Sequence, residues 1–113
     1  METEKLVKLI CDVLVNKKAQ DVVKINVTEK TSIADYFIVA SGRSASQVKS
    51  LAEHVEEETE KQLGVSVKRR EGMTEGRWVV LDYGDVIVHV FNDEQRLFYH
   101  LERLWGDGEK VED

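Results

Sequence analysis

Little in this sequence could do covalent chemistry. Its three histidines, His54, His89 and His100, are the natural candidates for a metal site or a general base. They fall on different stretches, and none has a His or Cys partner at ligand spacing. His89 lies near Trp78 in a β-rich stretch, which suits a packed or partner-contacting ring better than a base. Cys11, the single cysteine, cannot form an internal disulfide, and its place in an apolar helical stripe makes it a small core residue in a reducing compartment. No Walker loop, Rossmann glycine pattern or nucleophile elbow is present. The residue types therefore point to no catalytic, cofactor or metal site, and contact surfaces become the question.

One enzymatic pattern is half present. An apolar strand followed by Ser41-Gly42-Arg43-Ser44 and a helix resembles the opening of a nucleotidyltransferase fold. There a Gly-Ser turn holds phosphate and an Asp-x-Asp pair on the next strand binds two magnesium ions. Here the next strand, residues 65–70, ends in Lys68, Arg69 and Arg70, which cannot supply the hard oxygen ligands magnesium requires. A related fold without the activity is expected, and a nucleotide-binding or nucleotidyltransferase-like enzyme is the alternative.

The chain of 113 residues suits one domain, 1–113, with one core. Its 42% hydrophobic and 34% charged residues are ordinary for a soluble protein. No apolar run approaches the roughly 20 residues that span a bilayer, and the start lacks a signal-peptide layout, so a cytoplasmic location is expected. A net charge of −6 argues against free nucleic acid as the main ligand, since phosphate binding needs a dense basic surface. It leaves room for a nucleoprotein reached through a basic protein component.

Positioning falls to a short series of elements. Leu6, Leu9, Ile10, Val13 and Leu14 give residues 3–16 a helical stripe. Val23, Ile25 and Val27 then alternate with polar residues, as in a half-buried strand. Residues 33–40 are apolar on both faces through their second half, the mark of a covered central strand. Ser44 and Gln47 form a capping box for a helix with Val48, Leu51, Ala52, Val55 and Leu63 inward, closed by Gly64. A strand at 65–70 leads to a hairpin over residues 76–91, and Asn92 caps a last helix ending at Gly106, beyond which residues 107–113 should fray. The order α-β-β-α-β-β-β-α predicts an α/β (α+β) domain, a mixed five-stranded sheet with three helices, in which residues 33–70 make a parallel crossover.

The hairpin is the centre of this arrangement. A two-residue loop at Tyr83 and Gly84 would pair Trp78 with His89, Val80 with Ile87 and Asp82 with Asp85. Val79, Leu81, Val86, Val88 and Val90 would then face a core, while Trp78, His89, Phe91, Asp82 and Asp85 share the other side. Opposed carboxylates at Asp82 and Asp85 would repel, and a one-residue slip would exchange the faces.

The chain resembles the ribosomal silencing factors, also called Iojap-like proteins. The resemblance runs from Val22 to Trp105 and is carried by Ser32-Ile33-Ala34-Asp35-Tyr36-Phe37-Ile38-Val39-Ala40-Ser41-Gly42, by Ser44 and Gln47-Val48, by Glu71-Gly72, by residues 78–91, and by Arg96-Leu97-Phe98-Tyr99-His100-Leu101-Glu102-Arg103-Leu104-Trp105. It implies a factor without enzymatic activity or cofactor. Such a factor binds the large ribosomal subunit through its protein L-fourteen, blocks joining of the small subunit and lowers translation under nutrient limitation. An acidic surface bearing aromatics independently suits a basic ribosomal protein. Trp78, Asp82 and Tyr83 of the hairpin, with Tyr99, Glu102 and Trp105 of the last helix, are the expected docking residues. Trp78 and Trp105 equally suit the sheet-helix core, and Tyr99 and Glu102 an ordinary solvated helix face. A homodimer burying the mixed face is a further alternative.

Overall fold

A computed structural model describes residues 2–29, 32–92 and 109–110. The elements are α1 (Glu2–Asn16), β1 (Gln20–Asn26), β2 (Tyr36–Gly42), α2 (Ala45–Leu63), β3 (Arg69–Glu71), β4 (Trp78–Asp82), β5 (Val86–Asn92) and β6 (Glu109–Lys110). They build one mixed sheet in the order β3-β4-β5-β2-β1-β6. Among the described strands, β2 and β5 at its centre are paired in parallel and the other pairings are antiparallel.

The two described helices cover the same face of the sheet. Leu6, Val7, Ile10, Cys11, Val13 and Leu14 of α1 and Val48, Leu51, Ala52 and Val55 of α2 are buried with Ile38, Ala40, Val79, Leu81, Val86, Val88 and Val90. Helical spacing puts the first two sets on one stripe each, and strand alternation puts the third on one face. Cys11 accordingly sits buried in the core. Leu63, expected in the α2 stripe, is instead exposed at the end of the helix, and Thr59 takes the buried position one turn earlier.

The caps of α2 follow the sequence closely. Ser44 Oγ accepts from the Gln47 amide at 3.1 Å, while Gln47 Oε1 accepts from the Arg43 amide at 2.6 Å, one residue before the cap itself. At the other end Gly64 is left-handed (φ 66°), and the amides of Gly64 and Val65 donate to Glu60 O and Thr59 O. That cap shortens the next strand. Residues 65–67 are spent leaving the helix, so the expected strand 65–70 meets β4 only from the Lys68 amide, which donates to Asp82 O at 2.8 Å, and pairs over Arg69–Glu71. It still runs parallel to β2, with β4 and β5 between them.

The hairpin register differs from the expected one by two residues. Trp78 lies opposite Phe91, Val80 opposite His89 and Asp82 opposite Ile87. The turn therefore centres on Gly84 and Asp85, between Tyr83 and Val86, where the Tyr83 amide donates to Val86 O at 2.9 Å. Asp82 and Asp85 do not face each other across the ladder. Because side chains alternate with a period of two, a shift of two leaves every residue on its expected face.

The second face of the sheet carries its own buried set, Val23, Ile25, Val27, Ala34, Phe37, Val39 and Phe91. The register of β1 is irregular between Gln20 and Val23, where Asp21 has φ 51°, and strand alternation then puts Val22 on the helix side and Val23 and Ile25 on this one. The expected third helix lies outside the described residues. Of the tail expected to fray, Glu109 and Lys110 instead pair with Lys24 and Val23, adding a sixth strand to the expected five.

Candidate docking surface

Trp78 opens β4 on the second face, and two tight approaches place it there. Gly72 has φ +83°, and a Cβ on it would sit 2.0 Å from Trp78 O. At Gly76, with φ +70°, a Cβ would lie 2.8 Å from Ala45 O of α2. Only glycine lets the loop between β3 and β4 turn this closely against both neighbours. Asn92 N donates to Arg77 O at 2.9 Å, tying the residue before Trp78 to the end of β5.

Its indole is 42% exposed, one of the few large apolar side chains at the surface among the described residues. The inner edge rests on an aromatic group from neighbouring strands. Phe91 lies 5.3 Å away and His89 6.0 Å, centre to centre; beyond them Phe37 of β2 is 5.2 Å from His89. Trp78 Nε1–H donates to His89 Nδ1 at 3.2 Å. Trp78 is therefore neither a core residue nor a loose surface ring: its base is fixed and its outer part open to a partner.

His89 is buried, and burial pushes its pKa down from 6.5 to about 4. An indole can only donate, so Nδ1 must be the bare nitrogen, and the neutral ring carries its proton on Nε2. That Nε2 is buried without a hydrogen-bond partner among the described residues.

Asp82 shares the Trp78 face about 13 Å along the strand, at the usual rise per residue. It is half-buried, and its Oδ1 accepts from the Gly84 amide at 2.7 Å, which shapes the turn. Tyr83 corrects the expected docking set. It is only 5% exposed, packed in the core on the helix side, with its hydroxyl 3.0 Å from Thr59 Oγ1 of α2. Burial raises its pKa above 10.0, the Thr59 bond opposing. Tyr83 continues the alternation of Val79 and Leu81, and with the turn displaced to Gly84 and Asp85 its side chain lies on the helix-covered face under α2. Tyr99, Glu102 and Trp105 lie outside the described residues.

Ile33, 70% exposed ahead of β2, is a surface residue that the expected docking set does not include. The chain beyond it is pinned at Asp35, whose amide donates to Asp85 O at 2.8 Å and whose carbonyl accepts from Val27. The sequence pattern puts Ile33 at the start of the expected strand 33–40, whereas β2 begins at Tyr36 and leaves it outside the sheet. Among the described residues no three His, Cys, Asp or Glu side chains gather as metal ligands would. An open groove of about 440 Å³ lined by Val7, Cys11, Lys24 and Tyr36 lies on the opposite, helix-covered side. No described helix is long and apolar enough to cross a membrane.

These features define a mixed α+β domain whose conspicuous surface element is an anchored, half-open aromatic ring. Comparison with known proteins supplies the lineage. The family profile described as "Ribosomal silencing factor during starvation" matches residues 1–113. The protein named ribosomal silencing factor RsfS of Halalkalibacterium halodurans is 40% identical over 112 residues, covering 99% of this chain and 95% of that protein. The protein of the same name from Zymomonas mobilis is 41% identical over 109 residues, 96% and 81% of the two chains. A crystal structure of a Chromobacterium violaceum protein superposes with a TM-score of 0.87 at 38% identity, covering 95% of this chain and 88% of that one. The chain belongs to the ribosomal silencing factor family.

Proposed function

We propose that this chain binds the large ribosomal subunit through its protein L-fourteen and, by occupying that surface, sterically prevents the small subunit from joining. Translation falls as a result when nutrients are scarce. The chain works by binding in the cytoplasm, without a cofactor and without catalysing a reaction. The observation that carries this reading is Trp78, an indole open to solvent on its outer part and held from beneath by Phe91 and His89. Fixed aromatic rings of this kind dominate binding energy at protein interfaces. The net charge of −6 suits a basic ribosomal partner and would speed its encounter. Asp82, Tyr99, Glu102 and Trp105 complete the proposed surface; Tyr83, being buried, does not belong to it.

Co-sedimentation with isolated subunits tests the proposal. The protein should travel with the large subunit and not the small one, and Glu102→Arg should reduce that binding. Addition of the protein before mixing should lower the yield of joined ribosomes. Migration with neither subunit would end the reading. The same surface could instead bury itself in a homodimer; sedimentation equilibrium across the working concentrations separates that case.

A further inference from the structure

We propose that His89 is a positioning residue for the docking surface: its Nδ1 lone pair holds the Trp78 indole in the orientation in which the partner meets it. The inference rests on the reading of Trp78 as a docking anchor and adds the device that keeps it ready.

His89 is a poorly satisfied group. His89 is 8% exposed and lies among apolar rings, with Phe37 at 5.2 Å and Phe91 stacked at 6.3 Å and 17°. A phenylalanine or leucine would suit such surroundings at least as well. The imidazole leaves Nε2, which must carry the ring proton, buried and unpaired among the described residues. Among the described residues its ring is engaged through the other nitrogen, by the 3.2 Å contact from Trp78 Nε1–H to Nδ1. That bond cannot be needed to satisfy the indole, because a ring 42% exposed has water within reach.

What the bond does supply is direction. A tryptophan at the start of an edge-proximal strand can otherwise swing between rotamers that point its ring along or away from the sheet. Packing on Phe91 restricts tilt, but stacking is tolerant of sliding. A hydrogen bond from one defined atom fixes the remaining rotation. Ordering achieved before the encounter need not be repeated on binding, so the affinity rises without any new contact to the partner. His89 therefore acts through Trp78 and does not itself touch the partner, consistent with its burial.

The test compares His89→Phe, which keeps the ring and loses the acceptor, with His89→Asn, whose Oδ1 takes the place of Nδ1. Two readouts are needed. The first, made on the free protein, is the Trp78 indole N–H resonance in ¹⁵N-labelled chain, assigned by its loss in Trp78→Phe. In His89→Phe this proton should lose its hydrogen-bonded shift and exchange with water at least ~10-fold faster, and in His89→Asn it should stay close to wild type. The second is affinity for the isolated large subunit, which should fall roughly tenfold in His89→Phe, the ratio one net hydrogen bond sets, and recover in His89→Asn. Thermal stability of His89→Phe at neutral pH should equal or exceed that of wild type.

An unchanged indole resonance in His89→Phe overturns the proposal, as does full affinity in that variant. Equal loss of affinity in both variants with a lowered melting temperature would also overturn it, by showing that the site only fills space. If His89→Phe does not fold, His89→Leu takes its place. Failure of wild-type protein to bind the large subunit would refute the docking reading of Trp78, and with it this role, while the resonance would still show whether His89 orients the ring.

Discussion

Lowering the pH from 7 to 5 should destabilise this protein through one residue, and the structure sets the size of the effect. His89 is buried, and burial holds its pKa at about 4 in the folded chain against 6.5 when unfolded. Protonation at Nδ1 would also set one donor against another, since that nitrogen faces the Trp78 N–H. Below pH 6.5 the unfolded chain takes up a proton that the folded chain refuses until about pH 4. Stability is therefore complete above that window and declines as the pH falls through it. Integrating between pH 7 and 5 gives a loss of about 2 kcal/mol. For a chain of this length that corresponds to about 8 °C in Tm. The assay is thermal unfolding at fixed ionic strength from pH 7 to 5, for wild type and His89→Phe. Carboxylates titrate mainly below this range, so the variant should show a nearly flat profile. Parallel slopes for the two proteins would refute the reasoning, because they would mean that the folded chain accepts a proton at His89 as readily as the unfolded one.

Three further outcomes follow from the packing. Tyr83→Phe should lower stability by about 1 kcal/mol in denaturant unfolding, since it removes the buried bond to Thr59 while Thr59 keeps Glu56 O as acceptor. It should leave binding to the large subunit unchanged, the opposite of what the residue pattern alone would suggest. Gly72→Ala should prevent folding or cut soluble yield severely, because the new Cβ would lie 2.0 Å from Trp78 O at a φ of +83°. Circular dichroism and gel filtration would show it. Trp78→Ala should cost ~2 kcal/mol or more of binding by titration against the large subunit, with a smaller loss of folding stability because much of the ring is already in water.

Local rules are the reliable part of the sequence. The start of α2 at Ser44 and its end at Gly64 depend on hydrogen bonds reaching no more than six residues, so residue type and spacing suffice to place both. Val79, Leu81, Val86, Val88 and Val90 share the face that their alternation predicts, although the register expected for them is two residues out. A two-residue slip changes partners and leaves faces alone, so the burial pattern cannot reveal it. It is not harmless at the turn, where it sets the fate of Tyr83.

Spacing, capping and recurring motifs are enough to establish a mixed α+β domain, the stripes and strand faces that seek a core, and the family to which the chain is related. All of these are local along the chain. The inward turn of Tyr83 to Thr59, the half-open seat of Trp78, the edge added by Glu109 and Lys110, and the single nitrogen through which His89 holds the indole emerge in three dimensions alone. Each depends on contacts between residues distant in sequence, where strand register and turn position select among arrangements that the same local pattern allows.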